Sequence, residues 1–261
     1  MKTVACYSIK GGVGKTASAV NFAYWSARQG LHTLLIDLDA QGASSFYFRV
    51  GNRSKKNWGK RFFTTYKQLL QQVKESDFNH LDILPSHSSF RHFDGWLTEH
   101  GSKSNRLSKA IKGLAPHYDV IILDCPPSIS LLAENIFTAA DLLAVPMIPT
   151  TLSQRTFDQL LDFFDQQGYP QEQIHPFFTL ADGRKQLHRD TAAALRKSYP
   201  RFFKQAIPHS TYVEKMGIHQ SPIDLFAHNS QANRCYQALW QEIAQMLNLP
   251  STPLDRHTEP L

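Results

Sequence analysis

The sequence predicts an α/β fold in which a doubly wound, mostly parallel sheet carries helices on both faces. Short apolar runs, typical of strands buried on both faces, alternate along the chain with helical patterns. Residues 2–9 and 33–36 are two such runs, and a helical pattern at 16–29 lies between them. A strand, a helix and a strand within about 35 residues form a βαβ unit, so these two strands should be parallel.

The same alternation continues along the rest of the chain. Further strands are predicted at 81–84, 120–123, 142–146 and 176–180, and further helices at 106–114, 131–139, 157–167, 191–198 and 232–247. The basic stretch 51–60 has no periodic pattern and is predicted to be a loop. We therefore expect one domain over residues 1–249, followed by a disordered tail at 250–261.

Composition excludes several classes of protein. No apolar run approaches the roughly 20 residues that a membrane-spanning helix needs, and the N-terminus lacks the apolar block of a signal peptide. The three cysteines are far apart and form no C-x-x-C pair, which argues against a disulfide framework or a cysteine metal site. These features predict a cytoplasmic protein with no integral membrane association.

Positive charge is concentrated in two segments of the chain. The sequence has 28 Lys and Arg against 22 Asp and Glu, a formal net charge of +6. Eight of the cations lie in residues 49–75 and seven lie in residues 184–204. Clustered cations suggest a polyanionic partner, although two solvated faces would show the same pattern.

A glycine-rich turn after the first strand predicts a nucleotide site. Its glycines allow consecutive backbone N–H groups to surround a phosphate, and the helix that follows presents its positive end to the same anion. Lys15 supplies a cation for the β- and γ-phosphates, and the Thr16 hydroxyl can bind Mg²⁺. Ile9 stands where the strict P-loop pattern has glycine. The predicted ligands are ATP and Mg²⁺, and the predicted nucleotide-binding residues are Lys10, Gly11, Gly12, Val13, Gly14, Lys15, Thr16 and Ala17.

Three aspartates follow predicted strands and are candidates for the chemistry. Ligands of parallel α/β sheets lie beyond the carboxyl ends of the strands, so Asp37, Asp39 and Asp124 should be close to the phosphates. Asp124, at the tip of a buried strand, has the Walker-B position that holds Mg²⁺. An acid in line with the γ-phosphate can orient the attacking water. For Asp37, a magnesium role and a cap on the following turn both remain open.

A second lysine in the loop makes the sequence resemble a particular ATPase family. Lys10 precedes Lys15 by five residues, and a generic P-loop does not need it. Together with D-L-D-A-Q-G at 37–42, where Ala40 replaces the family's proline, and D-C-P-P-S at 124–128, it resembles the ParA/MinD family of deviant Walker-A ATPases. The resemblance implies that Lys10 reaches the nucleotide of the partner subunit in an ATP-sandwich homodimer, and that Asp39 positions the attacking water.

The resemblance extends to the later part of the chain and implies partners. Ile207-Pro208 resembles the pair on the adenine side of the nucleotide, so Pro208 is a candidate adenine contact. Arg184 lies at the position of an arginine that contacts nonspecific DNA, although Tyr212 stands where Soj-type members have another arginine. The residues expected to contact DNA are Arg184, Lys185, Arg189 and Lys215. The family implies a nucleoid-associated ATPase with slow turnover, stimulated by a ParB-like or cargo-adaptor protein. Because the first strand is predicted to begin at residue 3, we expect no N-terminal helix-turn-helix domain and no operator-specific DNA binding.

Two other classes remain open from the sequence. A MinD-like membrane ATPase needs a basic amphipathic C-terminal helix, whereas the predicted helix 232–247 has one arginine and one glutamate. We predict that its apolar face packs in the core through Tyr236, Leu239, Ile243, Met246 and Leu247. A metabolic ATPase of the same superfamily is the third class. The cysteine spacing argues against an iron-protein-type reductase, but an ATP ligase is not excluded, and the cargo is not identified.

Overall fold

The computed structural model describes residues 1–51, 65–99 and 104–250, together with residues 58, 62 and 101. Within them, the sheet has eight strands in the order β3-β4-β2-β5-β1-β6-β7-β8. Every neighbouring pair is parallel except β3 and β4, which are antiparallel. The strands are β1 Lys2–Cys6, β2 Thr33–Asp37, β3 Lys74–Glu75, β4 Leu81–Leu84, β5 Val120–Asp124, β6 Leu142–Met147, β7 Ile174–Ala181 and β8 Ala206–Pro208. The predicted doubly wound, mostly parallel α/β fold is confirmed.

Helices connect the strands on both faces of the sheet. The α-helices of the described ranges are α1 Lys15–Arg28, α2 Ala43–Tyr47, α3 Tyr66–Leu70, α4 Phe93–Glu99, α5 Arg106–Lys112, α6 Leu131–Ala139, α7 Thr151–Gln167, α8 Gln186–Ser198, α9 Thr211–His219, α10 Asp224–Ala227 and α11 Gln231–Met246. Short 3₁₀ turns occur at Ser88–His92 and Gln171–Gln173.

The predicted boundaries differ from the observed ones where a helix begins with polar residues. Helix α7 begins six residues before the predicted position, and the Thr150 side chain caps it by accepting a hydrogen bond from the Ser153 amide. Helix α8 begins five residues before its predicted position, because its first turn has no apolar periodicity. The sequence patterns missed the short helices α2, α3, α4, α9 and α10 and the short strands β3 and β8. The predicted tail, from residue 251, and most of the predicted loop 51–60 lie outside the described residues.

Two apolar clusters enclose the sheet, one on each face. Side chains of a strand alternate between faces, so Ile121 of β5 joins one cluster and Ile122 joins the other, both completely buried. Helices α4 to α7 cover the first face and helices α1 and α11 cover the second. The central strands are therefore inaccessible on both sides, and only their carboxyl ends present polar groups to a ligand.

The last helix belongs to the core. The Trp240 ring lies 6.2 Å from that of Phe22 on α1, and its Nε1 donates a hydrogen bond to Gln29 Oε1 at 2.8 Å. The predicted apolar face is buried at Tyr236, Leu239, Ile243 and Leu247. The prediction was wrong for Met246, which lies in the last turn of the helix and is 45% exposed. None of the helices in the described ranges is long and apolar enough to span a lipid bilayer.

We expect Leu239→Ala to lower the free energy of unfolding by about 3 kcal/mol, because it leaves a cavity between α11 and α1. Met246→Ala, on the same helix but half exposed, should change it by less than about 0.5 kcal/mol. Urea denaturation of both variants measures the difference. Equal small effects would mean that α11 does not pack as described.

Candidate nucleotide site

Three neighbouring strands end side by side at the candidate site. In the register of the sheet, Cys6 of β1 pairs with Asp124 of β5, and Asp124 pairs with Asp37 of β2. The glycine-rich loop 10–16 continues from β1, and the segments 37–42 and 124–128 continue from β2 and β5. Parallel strands thus bring together three segments that are far apart in the sequence, as the strand-end rule predicts.

The glycine-rich loop has a backbone that only glycine adopts easily. Gly12 and Gly14 have φ values of 72° and 88°, in the left-handed region. The Thr179 hydroxyl of β7 donates a hydrogen bond to the Val13 carbonyl at 2.8 Å, and Val13 itself is buried. Gly14 is the N-cap of α1, whose first turn carries no acidic residue to neutralise its positive end. The loop is held in shape and presents a positive helix terminus, which suits an anion.

Lys15 is folded into the loop. Its Nζ donates a hydrogen bond to the Lys10 carbonyl at 3.0 Å, and its side chain is largely buried. Burial lowers the pKa of Lys15, and the nearby carboxylate of Asp124 opposes that shift. Lys10 is half-buried at the rim of the same loop. Lys10 and Lys15 therefore lie in the same tight turn, as their spacing in the sequence suggests.

Asp124 has a buried oxygen that lacks a partner. Thr16 Oγ1 donates a hydrogen bond to Asp124 Oδ1 at 3.3 Å, but Oδ2 has no hydrogen-bond partner within the described residues. The Ser44 hydroxyl is near enough to lower the pKa of Asp124 without making a hydrogen bond of ordinary geometry. Burial raises the pKa of Asp124, and the negative charge of Asp37 raises it further.

This arrangement fits a divalent cation. A buried carboxylate oxygen without a partner and an adjacent hydroxyl are hard oxygen ligands of the kind that Mg²⁺ takes. The described residues contain no cluster of three or more His, Cys, Asp or Glu side chains placed to hold a metal. Thr16 and Asp124 would thus hold Mg²⁺ together with phosphate oxygens and water, which is its usual mode of binding beside nucleotides.

The Asp37 carboxylate is occupied by hydrogen bonds from its own chain. Its Oδ2 accepts from the Ser45 amide at 2.9 Å and from the Ser45 hydroxyl at 2.6 Å, and its Oδ1 accepts from the Asp39 amide at 3.3 Å. Burial raises the pKa of Asp37, whereas these bonds from Ser45 lower it. The sequence left open whether Asp37 binds magnesium or caps the following turn. This geometry favours the second role, in which Asp37 stabilises the turn and α2.

Asp39 lies in a turn with a fixed backbone. Its Oδ1 accepts a hydrogen bond from the Gln41 amide at 2.9 Å. Its carbonyl accepts from the Gly42 amide at 2.9 Å and also from the Ser86 hydroxyl. The side chain is only half-buried and is close enough to raise the pKa of Lys15. A partly exposed carboxylate on a rigid turn beside the loop lysine is suited to holding a water molecule near a bound phosphate.

The segment after β5 is tied to β1. The Tyr7 hydroxyl donates a hydrogen bond to the Ser128 carbonyl at 2.8 Å, and the Tyr7 ring packs edge-on against Phe137 at 4.8 Å. Cys125 is buried, its thiol donates to the Leu123 carbonyl at 3.5 Å, and burial raises its pKa well above the usual value. A thiol in that environment is inert, so Cys125 has a packing role.

Three of the four candidate DNA contacts follow strand β7 in the chain. Arg184 is exposed and makes a two-point ion pair with Asp182, through Nε at 2.9 Å and Nη2 at 3.0 Å. Lys185 precedes α8, and Arg189 on its first turn donates to the Gly183 carbonyl at 2.5 Å. The structure brings these three cations together, whereas Lys215 is exposed on the separate helix α9.

The candidate adenine contact lies on the last strand of the sheet. Pro208 ends β8, with β6 and β7 between it and the loop-bearing strand β1, and it is half-buried.

Sequence reasoning missed three residues that shape the site, namely Ser45, Ser86 and Thr179. Ser86 follows β4, which pairs with β2, so the rule that ligand-side residues follow strands could have found it. Ser45 lies eight residues after Asp37 and carries no such signal in the sequence.

Comparisons with known proteins show the family of the chain. A family model described as an AAA domain matches residues 1–173 of the chain. The sporulation initiation inhibitor protein Soj of Bacillus subtilis is 26% identical over 251 residues, which cover 93% of this chain and 98% of Soj.

Two solved structures are similar over nearly the whole chain. The first, an McdA variant from Cyanothece in complex with ATP, has a TM-score of 0.81 at 18% identity and covers 96% of this chain and 97% of that one. The second, cobyrinic acid a,c-diamide synthase from Mycobacterium smegmatis with bound ADP and magnesium, has a TM-score of 0.77 at 22% identity and covers 98% and 99%. At these identities, the likeness shows the fold alone. The chain belongs to the AAA domain family, and its similarity to Soj over nearly the whole chain confirms the resemblance to ParA/MinD ATPases that its two loop lysines carry.

Proposed function

We propose that this chain is a Mg²⁺-dependent ATPase that dimerises with ATP, binds nonspecific DNA and positions a cargo. The observation that carries the proposal is the meeting of Lys15, Asp39 and Asp124 at the ends of three adjacent strands. Each supplies a group that phosphoryl transfer requires: a cation for phosphate, a carboxylate for water and a ligand for the metal.

In this proposal, ATP lies with its phosphates in the glycine-rich loop. Backbone amides of residues 11–16 and the positive end of α1 contact the phosphates, and Lys15 exchanges its bond to the Lys10 carbonyl for a phosphate oxygen. Thr16 and Asp124 would hold Mg²⁺, which neutralises charge on the β- and γ-phosphates when it is bound. Solved structures of the same fold with bound ATP, or with ADP and magnesium, support these ligands. Pro208 remains the proposed adenine contact.

Hydrolysis depends on Asp39. A water molecule held by its carboxylate adds to the γ-phosphorus while the bond to the bridging oxygen breaks, which gives ADP and inorganic phosphate. Asp39 is the acid at this edge that is half-exposed, whereas Asp37 and Asp124 are fully buried. Intrinsic turnover is proposed to be slow, so that a partner protein on the cargo controls when ATP is hydrolysed.

A second copy of the chain is the proposed cover for the nucleotide edge. Large apolar side chains are exposed in the segments that follow β5, β6 and β7: Ile129 is 41% exposed, Leu152 is 65% and Leu187 is 55%. A homodimer that closes over this edge would bury them. Lys10, at the rim of the loop, would then reach the nucleotide of the other subunit.

Nonspecific DNA is the proposed polyanion. Arg184, Lys185 and Arg189 are exposed together at the start of α8, with Arg196 and Lys197 exposed in its last turn. Such a surface binds phosphates without reading bases. In a cell, this activity would make the ATP-bound dimer a cytoplasmic, nucleoid-associated protein that a ParB-like or cargo-adaptor protein releases. Of the two charged windows, only this one lies fully within the described residues.

Asp39→Ala should lower ATP turnover at least about a hundredfold and leave ATP affinity unchanged, because the water is released while the phosphate loop is intact. Phosphate release measures turnover, and a fluorescent ATP analogue measures binding. Turnover close to that of the unmodified protein would remove Asp39 from the mechanism.

Lys10→Ala should weaken ATP-dependent dimerisation and turnover more than it weakens nucleotide binding by the monomer, because Lys10 is proposed to act in the partner's site. Lys15→Ala is the matched variant, and it should lose nucleotide binding itself. Size-exclusion chromatography with ATP, combined with a binding titration, separates the two effects. Normal dimerisation and turnover in Lys10→Ala would contradict the proposed sandwich dimer.

Arg184→Glu should weaken nonspecific DNA binding and leave ATP binding and dimerisation unchanged. If the cations neutralise phosphates, the logarithm of affinity should fall with the logarithm of salt concentration at about 0.9 per contact. Lys112→Glu on α5, an equal change of charge at another exposed site, is the control. Mobility shifts with ATP on two unrelated DNA sequences at two salt concentrations test this, and salt-insensitive or unchanged binding would contradict the DNA proposal.

A further inference from the structure

Two serine hydroxyls connect the Asp39 turn to the neighbouring strand. The Ser86 hydroxyl, just after β4, donates a hydrogen bond to the Asp39 carbonyl at 2.5 Å. The Ser86 amide donates to the Ser45 hydroxyl at 2.9 Å, and that hydroxyl donates to the Asp37 carboxylate at 2.6 Å. Ser86 thus holds Asp39 directly and Asp37 through Ser45.

From this geometry we infer that Ser86 is a positioning residue for hydrolysis, which acts by holding the backbone of Asp39. The inference rests on the proposed function, in which the Asp39 carboxylate orients the attacking water. Ser86 itself touches neither water nor nucleotide in this assignment.

Besides the bond from Ser86, few hydrogen bonds hold Asp39 in its orientation. Its carbonyl is shared between the Gly42 amide, inside the same turn, and the Ser86 hydroxyl, which comes from another strand. The bond from Ser86 therefore ties the turn to the segment after β4, while the Leu38 amide, which donates to the Asp124 carbonyl at 3.0 Å, ties the preceding residue to β5. The Asp39 amide adds a weaker tie to Asp37 at 3.3 Å.

The surroundings of Ser86 restrict the turn as well. A Cβ built on Gly42 would lie 3.6 Å from the Ser86 Cβ, so the turn and the segment after β4 are in close contact. Ser45 is 6% exposed, so water has little access to its bonds with the Ser86 amide and the Asp37 carboxylate. Loss of the Ser86 hydroxyl would leave the Asp39 carbonyl held only from within its own turn.

The consequence for catalysis is specific. A carboxylate that holds a water for attack must keep its position closely, and a misplacement of about 1 Å slows such a reaction strongly. ATP binding depends on the loop 10–16, and among the described residues Ser86 makes its hydrogen bonds to Ser45 and Asp39 instead. Loss of the Ser86 hydroxyl should therefore lower kcat and leave the affinity for ATP unchanged.

The test compares Ser86→Ala with Ser76→Ala in the full-length protein. Ser76 lies before β4 and Ser86 lies after it; both are half-buried, and the Ser76 hydroxyl also donates to a backbone carbonyl, that of Leu81, at 2.6 Å. We expect Ser86→Ala to lower kcat about tenfold at an unchanged dissociation constant for ATP, because the group holding the water loses its orientation. Ser76→Ala should change neither quantity, and Ser86→Thr, which keeps a hydroxyl, should recover most of the rate.

Two outcomes would overturn the inference: a Ser86→Ala variant with unchanged kcat, or one in which kcat and ATP affinity fall together with stability, as a purely structural role would give. Asp39→Ala, measured in parallel, separates this result from the larger proposal. If Asp39→Ala retains turnover, the proposed mechanism is wrong. If Asp39→Ala is inactive and Ser86→Ala is not impaired, only the role of Ser86 is wrong.

Discussion

The whole site depends on the parallel register of β1, β5 and β2. That register places the ends of the three strands level, with Cys6, Asp124 and Asp37 as neighbours across the sheet. A shift of one residue in either pair would turn each strand-end side chain to the opposite face and separate the carboxylates from the glycine-rich loop. The apolar clusters on both faces hold the register, because each central strand is buried on both sides.

The three segments at this edge are held to the rest of the structure by the same kind of hydrogen bond. Each has a backbone carbonyl held by a hydroxyl from another element: Val13 by Thr179, Asp39 by Ser86, and Ser128 by Tyr7. A single hydrogen bond contributes about 1 kcal/mol net, so each tie is strong enough to set a conformation and weak enough to be exchanged when a ligand offers another contact. The loops are thus ordered individually on a rigid sheet.

The sequence predicted what is local and missed what depends on the order of the strands. The glycine-rich loop, the buried strands and the acids at their ends follow from residue type and spacing, and the structure has the strands and acids where they were expected. The three hydroxyl ties could not be predicted in the same way, because they join residues up to 166 positions apart. The short helix α2 was missed because it begins from a Gly42 N-cap rather than from a polar side chain. The two-point pair of Arg184 with Asp182 also needed coordinates, because two residues of sequence separation do not fix its geometry.

Strand β7 links the nucleotide loop to the proposed DNA surface. Thr179 near its end holds the Val13 carbonyl, and Arg184 follows five residues later in the same segment. The ion pair that engages Arg184 is exposed to solvent, where such pairs contribute little, so a DNA phosphate can replace Asp182 as its partner. If ATP binding changes the glycine-rich loop, one hydrogen bond and five residues of chain connect that loop to the proposed DNA-binding cations. An ATP-dependent DNA affinity would need no rearrangement of the sheet, which the two apolar clusters make rigid.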